Sequence, residues 1–210
     1  MMEQVHAGNR LLLGGRVCLD FCNTIDARDS SEPVEWLHSY VDLVRWSLHA
    51  GTLVSGDSEP LLRLAEARPE KASHVLDEAI RLRETMYRIF RAVVDGHNIA
   101  AEELQEFNRF HRDALVHLIL IRGNDGFGWQ WANTRQLEYV LWPVARSASE
   151  LMTASELDRV RQCPGCGWLF LDQSRNRSRT WCDMQFCGNR AKARRYYERR
   201  NPVGKAKSGV

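Results

Sequence analysis

The chain has 210 residues, 44% hydrophobic and 27% charged, a globular balance that excludes intrinsic disorder and collagen-like repeats. No stretch approaches the roughly 20 apolar residues that a bilayer crossing needs. Leu11-Leu12-Leu13 followed by Gly14-Gly15 is too short for a secretory signal, so a soluble cytoplasmic protein without membrane contact is expected. The net charge of +2 is unevenly spread: residues 1–158 hold 16 Lys and Arg against 24 Asp and Glu, and residues 159–210 hold 13 against 3. The first part is therefore −8 and the second +10, the electrostatic footprint of a nucleic-acid-binding segment attached to a different kind of domain.

In chain order, residues 34–50 place Trp36, Leu37, Tyr40, Val41, Leu43, Val44 and Leu48 on one helical stripe, with Gly51 as its stop. Ser58-Glu59-Pro60 reads as the start of a short helix running to about Arg68. Pro69 then opens a long helix that Gly96 closes, and a further helix spans about Ala101–Ala114. Leu115–Arg122 is a β-branched apolar run, the stretch from Gly123 to Gly126 supplies turn chemistry, and Phe127–Ala132 alternates with Trp129 and Trp131 on one side. That pattern predicts a hairpin. Helix resumes from Thr134 to about Arg161, with a break near Trp142 because Pro143 lies inside it. The fold class is thus mainly α with a small β-hairpin: a helical domain over 1–158 and a metal-dependent appendage over 159–210.

The appendage carries Cys163, Cys166, Cys182 and Cys187 in the spacing C-x2-C-x15-C-x4-C. Two close pairs separated by a hairpin-sized loop can enclose one Zn2+ tetrahedrally. Pro164 stiffens the first turn, while Gly165 and Gly167 let backbone amides face the sulfurs. Trp168–Leu171 is a strand candidate, Arg179–Trp181 a returning strand, and Gly188–Arg200 an Arg/Ala-rich helix ended by Asn201-Pro202. Knuckle, hairpin, then a helix whose first turn donates a ligand is a treble-clef-like order. So short a segment buries little core, and the metal supplies the folding free energy, roughly 10–16 kcal/mol for structural zinc. Four thiolates leave no position for water, so the zinc, one per chain, is structural.

Arg190, Lys192, Arg194, Arg195, Arg199 and Arg200 lie on the final helix, and Arg175, Arg177 and Arg179 on the hairpin turn. Arginine outnumbers lysine, which suits bidentate recognition of phosphate or guanine. The expectation is a helix docked in the major groove of double-stranded DNA, with the turn arginines gripping phosphate. A merely solvated basic tail, or pairing with the acidic domain, is the plain alternative.

Residues 159–200, with Cys187-Gly188-Asn189-Arg190 at their centre, closely resemble the CGNR zinc finger. Upstream, CLDFCNTI (18–25) and LWPVAR (141–146) resemble the helical ABATE domain, a stress-induced transcription regulator domain that accompanies this finger in bacteria. The resemblance covers nearly the whole chain. It implies zinc held by Cys163, Cys166, Cys182 and Cys187, and a bacterial DNA-binding transcription regulator whose first domain senses or dimerises.

The first domain is harder to read. Asp20, Asn23, Thr24 and Asp26 form a polar cluster that suits either a ligand site or buried hydrogen bonds. Trp129, Trp131, Trp142 and Trp36 suit either an effector pocket or core packing. We single out Asp20, Asn23, Trp129 and Trp131 as candidate ligand-binding residues for a small-molecule effector, and homodimerisation is a further expectation. Cys18 and Cys22 lie four apart and read as a redox pair or as buried thiols. His111 and His117 show no metal-ligand pattern. With no nucleophile–base pair, phosphate loop or open metal position, no enzyme is expected. The rival reading is a protein–protein adaptor whose basic finger docks an acidic partner.

Overall fold

A computed structural model describes residues 7–9, 11–124, 126–132 and 135–200. After a 3-10 turn at Ala7–Asn9, the short helix α1 (Val17–Cys22) is buried on most sides by Cys18, Leu19, Phe21 and Cys22. It runs into β1 (Ile25–Asp26), which pairs antiparallel with β2 (Val34–Glu35). Residues 34–39 were expected to be helical, but α2 begins only at Tyr40 and ends at His49. Ser39 and Asp42 form the reason: the Ser39 hydroxyl accepts the Asp42 N–H at 3.3 Å, and Asp42 accepts the His38 N–H at 3.2 Å. This reciprocal box fixes the helix start. Gly51 ends the helix with φ +70°, as expected.

α3 spans Ser55–Ala67, three residues earlier than the Ser58 start read from sequence, with Pro60 tolerated inside it. α4 (Pro69–Asp95) has Pro69 in its first turn and Gly96 at φ +68° as its left-handed cap. Its row of Ala72, Val75, Ala79, Leu82, Met86, Ile89 and Phe90 is the spine of the core, packed by α1, α2, α3 and α5 (Ala101–Leu115). β3 (Leu118–Gly123) and β4 (Gly126–Trp131) form the predicted hairpin, in the register Leu120↔Trp129 and Ile121↔Gly128. Asp125 in its turn, and Thr134 beyond it, lie outside the described residues.

The expected helix from 134 to 161 is several pieces. A 3-10 turn (Leu137–Leu141) meets α6 (Trp142–Met152) where Pro143 forces the break, and after a second 3-10 turn the chain becomes the strand β5 (Val160–Gln162). β5 pairs antiparallel with β6 (Leu169–Leu171), with Val160 opposite Leu171. The expected returning strand at Arg179–Trp181 is absent among the described residues, since β5 already occupies that role and Asp172 holds the loop instead. The Asp172 carboxylate accepts the N–H groups of Ser174 at 2.9 Å and Arg179 at 3.0 Å. A π-helical turn (Met184–Gly188) leads into α7 (Asn189–Arg200); Asn201 and Pro202 lie outside the described residues. No helix among the described residues is long and apolar enough to cross a membrane.

Strand periodicity explains how the two parts join. Leu169 and Leu171 of β6, with Val160 of β5, belong to the main core, whereas Phe170 packs on the cysteine cluster. One small hairpin thus serves two cores, and the −8 and +10 segments share a buried interior.

Candidate metal centre and basic helix

Cys163 and Cys166 sit at the turn that joins β5 to β6. Gly167 closes that turn with φ +80° and donates its N–H to the Cys163 carbonyl at 2.9 Å. Cys182 precedes the π-helical turn, and Cys187 lies within it; the Asp183 carboxylate caps that turn by accepting the Phe186 N–H at 2.8 Å. The four Sγ atoms all lie within 4.8 Å of one another. Cys166 and Cys182 are 3.5 Å apart and Cys182 and Cys187 3.7 Å. Sulfurs about 2.3 Å from a tetrahedral zinc stand about 3.8 Å from each other, so the quartet fits the ion.

The electrostatics fit as well. Side-chain hydrogen bonds from Cys166 and Cys182, aided by the backbone N–H groups of Cys182 and Gly165, hold the Cys163 thiol far below its ordinary range. The stabilised Cys163 thiolate in turn raises Cys166 and Cys182, and burial raises Cys187. Such crowding of sulfurs is costly alone and is relieved when a divalent cation displaces the protons. Gly165 packs closely here: a Cβ would stand in ordinary contact with the Cys187 sulfur at 3.5 Å and tightly, at 3.3 Å, against the Trp181 ring.

The finger is locked to the helical body by residues that sequence reasoning placed elsewhere or missed. Asn23 is buried and acts as a peptide mimic on β6: its Nδ2 donates to the Leu169 carbonyl, and its Oδ1 accepts the Leu169 N–H, both at 2.8 Å. Trp168 Nε1 donates to the Ile25 carbonyl at 3.0 Å, and Tyr87 donates its hydroxyl to the Gly167 carbonyl at 3.2 Å. Behind them, Arg83 is 2% exposed and grips Glu35 through two hydrogen bonds of 2.6 and 2.7 Å, while its Nε reaches Glu84 at 2.9 Å. Burial alone would raise Glu35, but the Arg83 guanidinium reverses this and holds the carboxyl below its ordinary value.

The four candidate ligand residues do not meet in one place. Asn23 is committed to Leu169, and Trp129 is 58% exposed on the hairpin. Asp20 and Trp131 do line one cleft of about 680 Å3 with Arg16, Arg146 and Ser147. Asp20 accepts the Gly14 N–H at 2.7 Å, and burial pushes its pKa up to about 6. Trp142 belongs to the core, and Trp36 packs against it. Cys18 and Cys22 are fully buried thiols; burial raises Cys18 to about 12 and Cys22 well above its usual value, the opposite of a reactive pair. His117 stacks on Trp142 with ring centroids 3.9 Å apart.

The basic residues fall into two groups. Arg179 is spent inside the finger, donating to the carbonyls of Trp181 and Cys182 and lying 4.8 Å over the Phe170 ring. Arg177 pairs with Asp158. Arg175 is exposed, as are Arg190, Lys192, Arg194, Arg195, Arg199 and Arg200 on α7. Those six side chains form no ion pair among the described residues, and Arg200 meets only the Tyr196 hydroxyl and ring. α7 itself packs chiefly on the π-helical turn before it.

Fold and site together define a zinc-finger protein: a four-cysteine centre, positioned to bind one metal ion, built into a helical body and followed by an exposed basic helix. Residues 15–155 match the ABATE family model, described as "Putative stress-induced transcription regulator", and residues 159–200 match the CGNR zinc finger. The chain belongs to the ABATE family and carries a CGNR zinc finger. No curated protein matches it.

Proposed function

We propose that this protein is a non-catalytic transcription regulator that binds double-stranded DNA through α7. The observation that supports this reading is the exposed charge of that helix, whose six basic side chains form no ion pair among the described residues. On α4, Lys71, Arg81, Arg83, Arg88 and Arg91 pair with carboxylates, whereas six cationic side chains on α7 face solvent. A 12-residue helix is about 18 Å long and of a size to enter a major groove about 12 Å wide. The zinc centre serves as its anchor: Cys187 lies in the turn immediately before α7, so the ion fixes where the helix leaves the body.

Fluorescence anisotropy on a mixed-sequence duplex across a salt series tests the reading. Neutralising six phosphates should give a slope of about −5 in log K against log salt. Affinity that does not change between low and moderate salt would overturn it. A polyglutamate competitor separates DNA from an acidic protein partner: displacement at equal charge would favour the adaptor. Selection of bound fragments from genomic DNA would then give the recognised sequence.

A further inference from the structure

A cysteine thiolate is both a metal ligand and a nucleophile, and access decides whether it also reacts. In the quartet access is unequal. Cys163 is 0% exposed, Cys182 2% and Cys187 6%, whereas Cys166 is partly exposed. Solvent therefore does not enter the quartet itself and reaches Cys166 from outside. The way in is a cleft of about 540 Å3 between the finger and the helical body, which Cys166, Cys182 and Cys187 all line. Its walls are largely apolar: Leu11 and Leu13 come from the segment before α1, Val34 from β2, and Trp168 and Phe186 from the finger. The charged groups on the same lining, Asp26, Asp183 and Arg190, are of both signs. Such a lining suits a small apolar molecule without net charge.

We propose that this cleft admits organic hydroperoxides to Cys166, and that Cys166 and Cys182 form a peroxide-reactive pair within the metal centre. The Cys166 thiolate attacks the terminal oxygen of R–O–O–H. The O–O bond breaks, and the alkoxide leaves and takes a proton from water to become R–OH. Cys166 is then a sulfenic acid, which condenses with a neighbouring thiolate. Cys182 supplies it: its sulfur stands 3.5 Å from that of Cys166, closer than the 3.7 Å between Cys182 and Cys187. The Cys182 thiolate attacks the Cys166 sulfur, the S–S bond forms, and hydroxide leaves.

Two thiolates thus give up two electrons, and the hydroperoxide is reduced to alcohol and hydroxide. The disulfide removes two of the four ligands, too few for a structural zinc site, so the ion departs. Cys187 lies in the turn immediately before α7, so the same step loosens the start of that helix. Hydrogen peroxide can follow the same course but gains nothing from apolar walls. A cumyl group that buries about 60 Å2 against them should favour attack roughly tenfold.

Cumene hydroperoxide and hydrogen peroxide, each added to the zinc-loaded full chain with a colorimetric zinc chelator, test this. With each rate scaled to that of the same peroxide with glutathione, zinc release should be about tenfold faster for cumene hydroperoxide. Peptide mapping should find Cys166 joined to Cys182. Val34→Ser with Phe186→Ser, at wall positions 46% and 57% exposed, should keep the zinc content and remove the preference. Cys166→His, which retains a fourth ligand, should hold zinc against both peroxides. Equal scaled rates, a preference that survives the wall variant, or a disulfide that omits Cys166 would overturn the proposal. Metal release and disulfide mapping are read without DNA, so failure of DNA binding leaves both results standing.

Discussion

Two helices of this molecule carry similar numbers of basic residues, five on α4 and six on α7, and use them differently; α4 also holds five acidic residues, and α7 one. On α4, Lys71, Arg81, Arg83, Arg88 and Arg91 all pair with carboxylates: Glu138, Glu78, Glu35, Glu103 and Asp95 respectively. On α7, six basic residues share a helix in which Glu198 is the lone acid, and none forms an ion pair among the described residues. The difference is one of composition, since Glu78 and Asp95 lie on α4 itself, and of surroundings. α4 runs through the acidic body, where each guanidinium that gives up water meets a fixed carboxylate, so its charges are part of the fold. α7 leaves the body beside the metal centre, so its charges stay in solvent and repel one another. Opposite net charges therefore do not bind the two parts to each other through α7. What joins them is the shared core of Val160, Leu169 and Leu171 and the Asn23 clamp.

Removing the anchor should separate the two helices most strongly. Cys187→Ser should abolish the roughly one zinc per chain found by metal analysis and lower the melting midpoint by more than about 15 °C, because the knuckle hairpin is part of the main core. Deleting residues 1–158 should likewise yield an aggregating fragment, since Leu169 and Leu171 lose their covering; a folded zinc-loaded fragment by circular dichroism would refute the shared core. Next, Arg83→Ala should cost about 3–5 kcal/mol by urea unfolding, as it takes a buried cation away from the half-buried Glu35 and Glu84, and should leave the salt slope of DNA binding unchanged.

The converse change, Arg194→Ala with Arg195→Ala, should shift unfolding by no more than about 0.5 kcal/mol. It should instead reduce the salt slope by about 2 and weaken binding to all duplexes alike. An α7 variant that unfolds the protein, or an Arg83 variant that changes the slope, would erase the distinction between the two helices.

The mildest change concerns pH. Asp20 has its pKa raised from 3.8 to about 6 by burial, against a weaker opposing pull from the backbone N–H of Gly14. The folded state therefore holds this proton more tightly than the unfolded one. Its contribution to stability is full below about pH 4 and is lost as pH rises through about 6, by on the order of 2–3 kcal/mol. Asp20→Asn should flatten the melting midpoint across that window; an identical pH profile for the two proteins would show that Asp20 titrates normally.

Local pattern carried much of this molecule. Pro69 and Gly96 bracket α4 in sequence and in structure, and the quartet Cys163, Cys166, Cys182 and Cys187 closes as its spacing required. The β3–β4 hairpin formed where alternation and turn residues placed it. These features rest on neighbours a few residues apart, or on a ligand set with one geometric solution, so they are written in the chain. The apolar stripe from residue 34 misplaced one helix start, because the Ser39–Asp42 box begins α2 only at Tyr40.

Pairings across long stretches of chain were settled by folding. Asn23 is 146 residues from Leu169, and nothing near either one marks it as a clamp on a strand edge rather than a ligand contact. Arg179 and Arg190 look alike in sequence; one ties the finger loop and the other stands exposed, because only the folded loop brings the carbonyls of Trp181 and Cys182 to Arg179. The four cysteines were enough to specify the metal and its coordination. Which charges remain to meet a partner depended on packing, since a guanidinium is available only when no buried carboxylate or carbonyl has claimed it first.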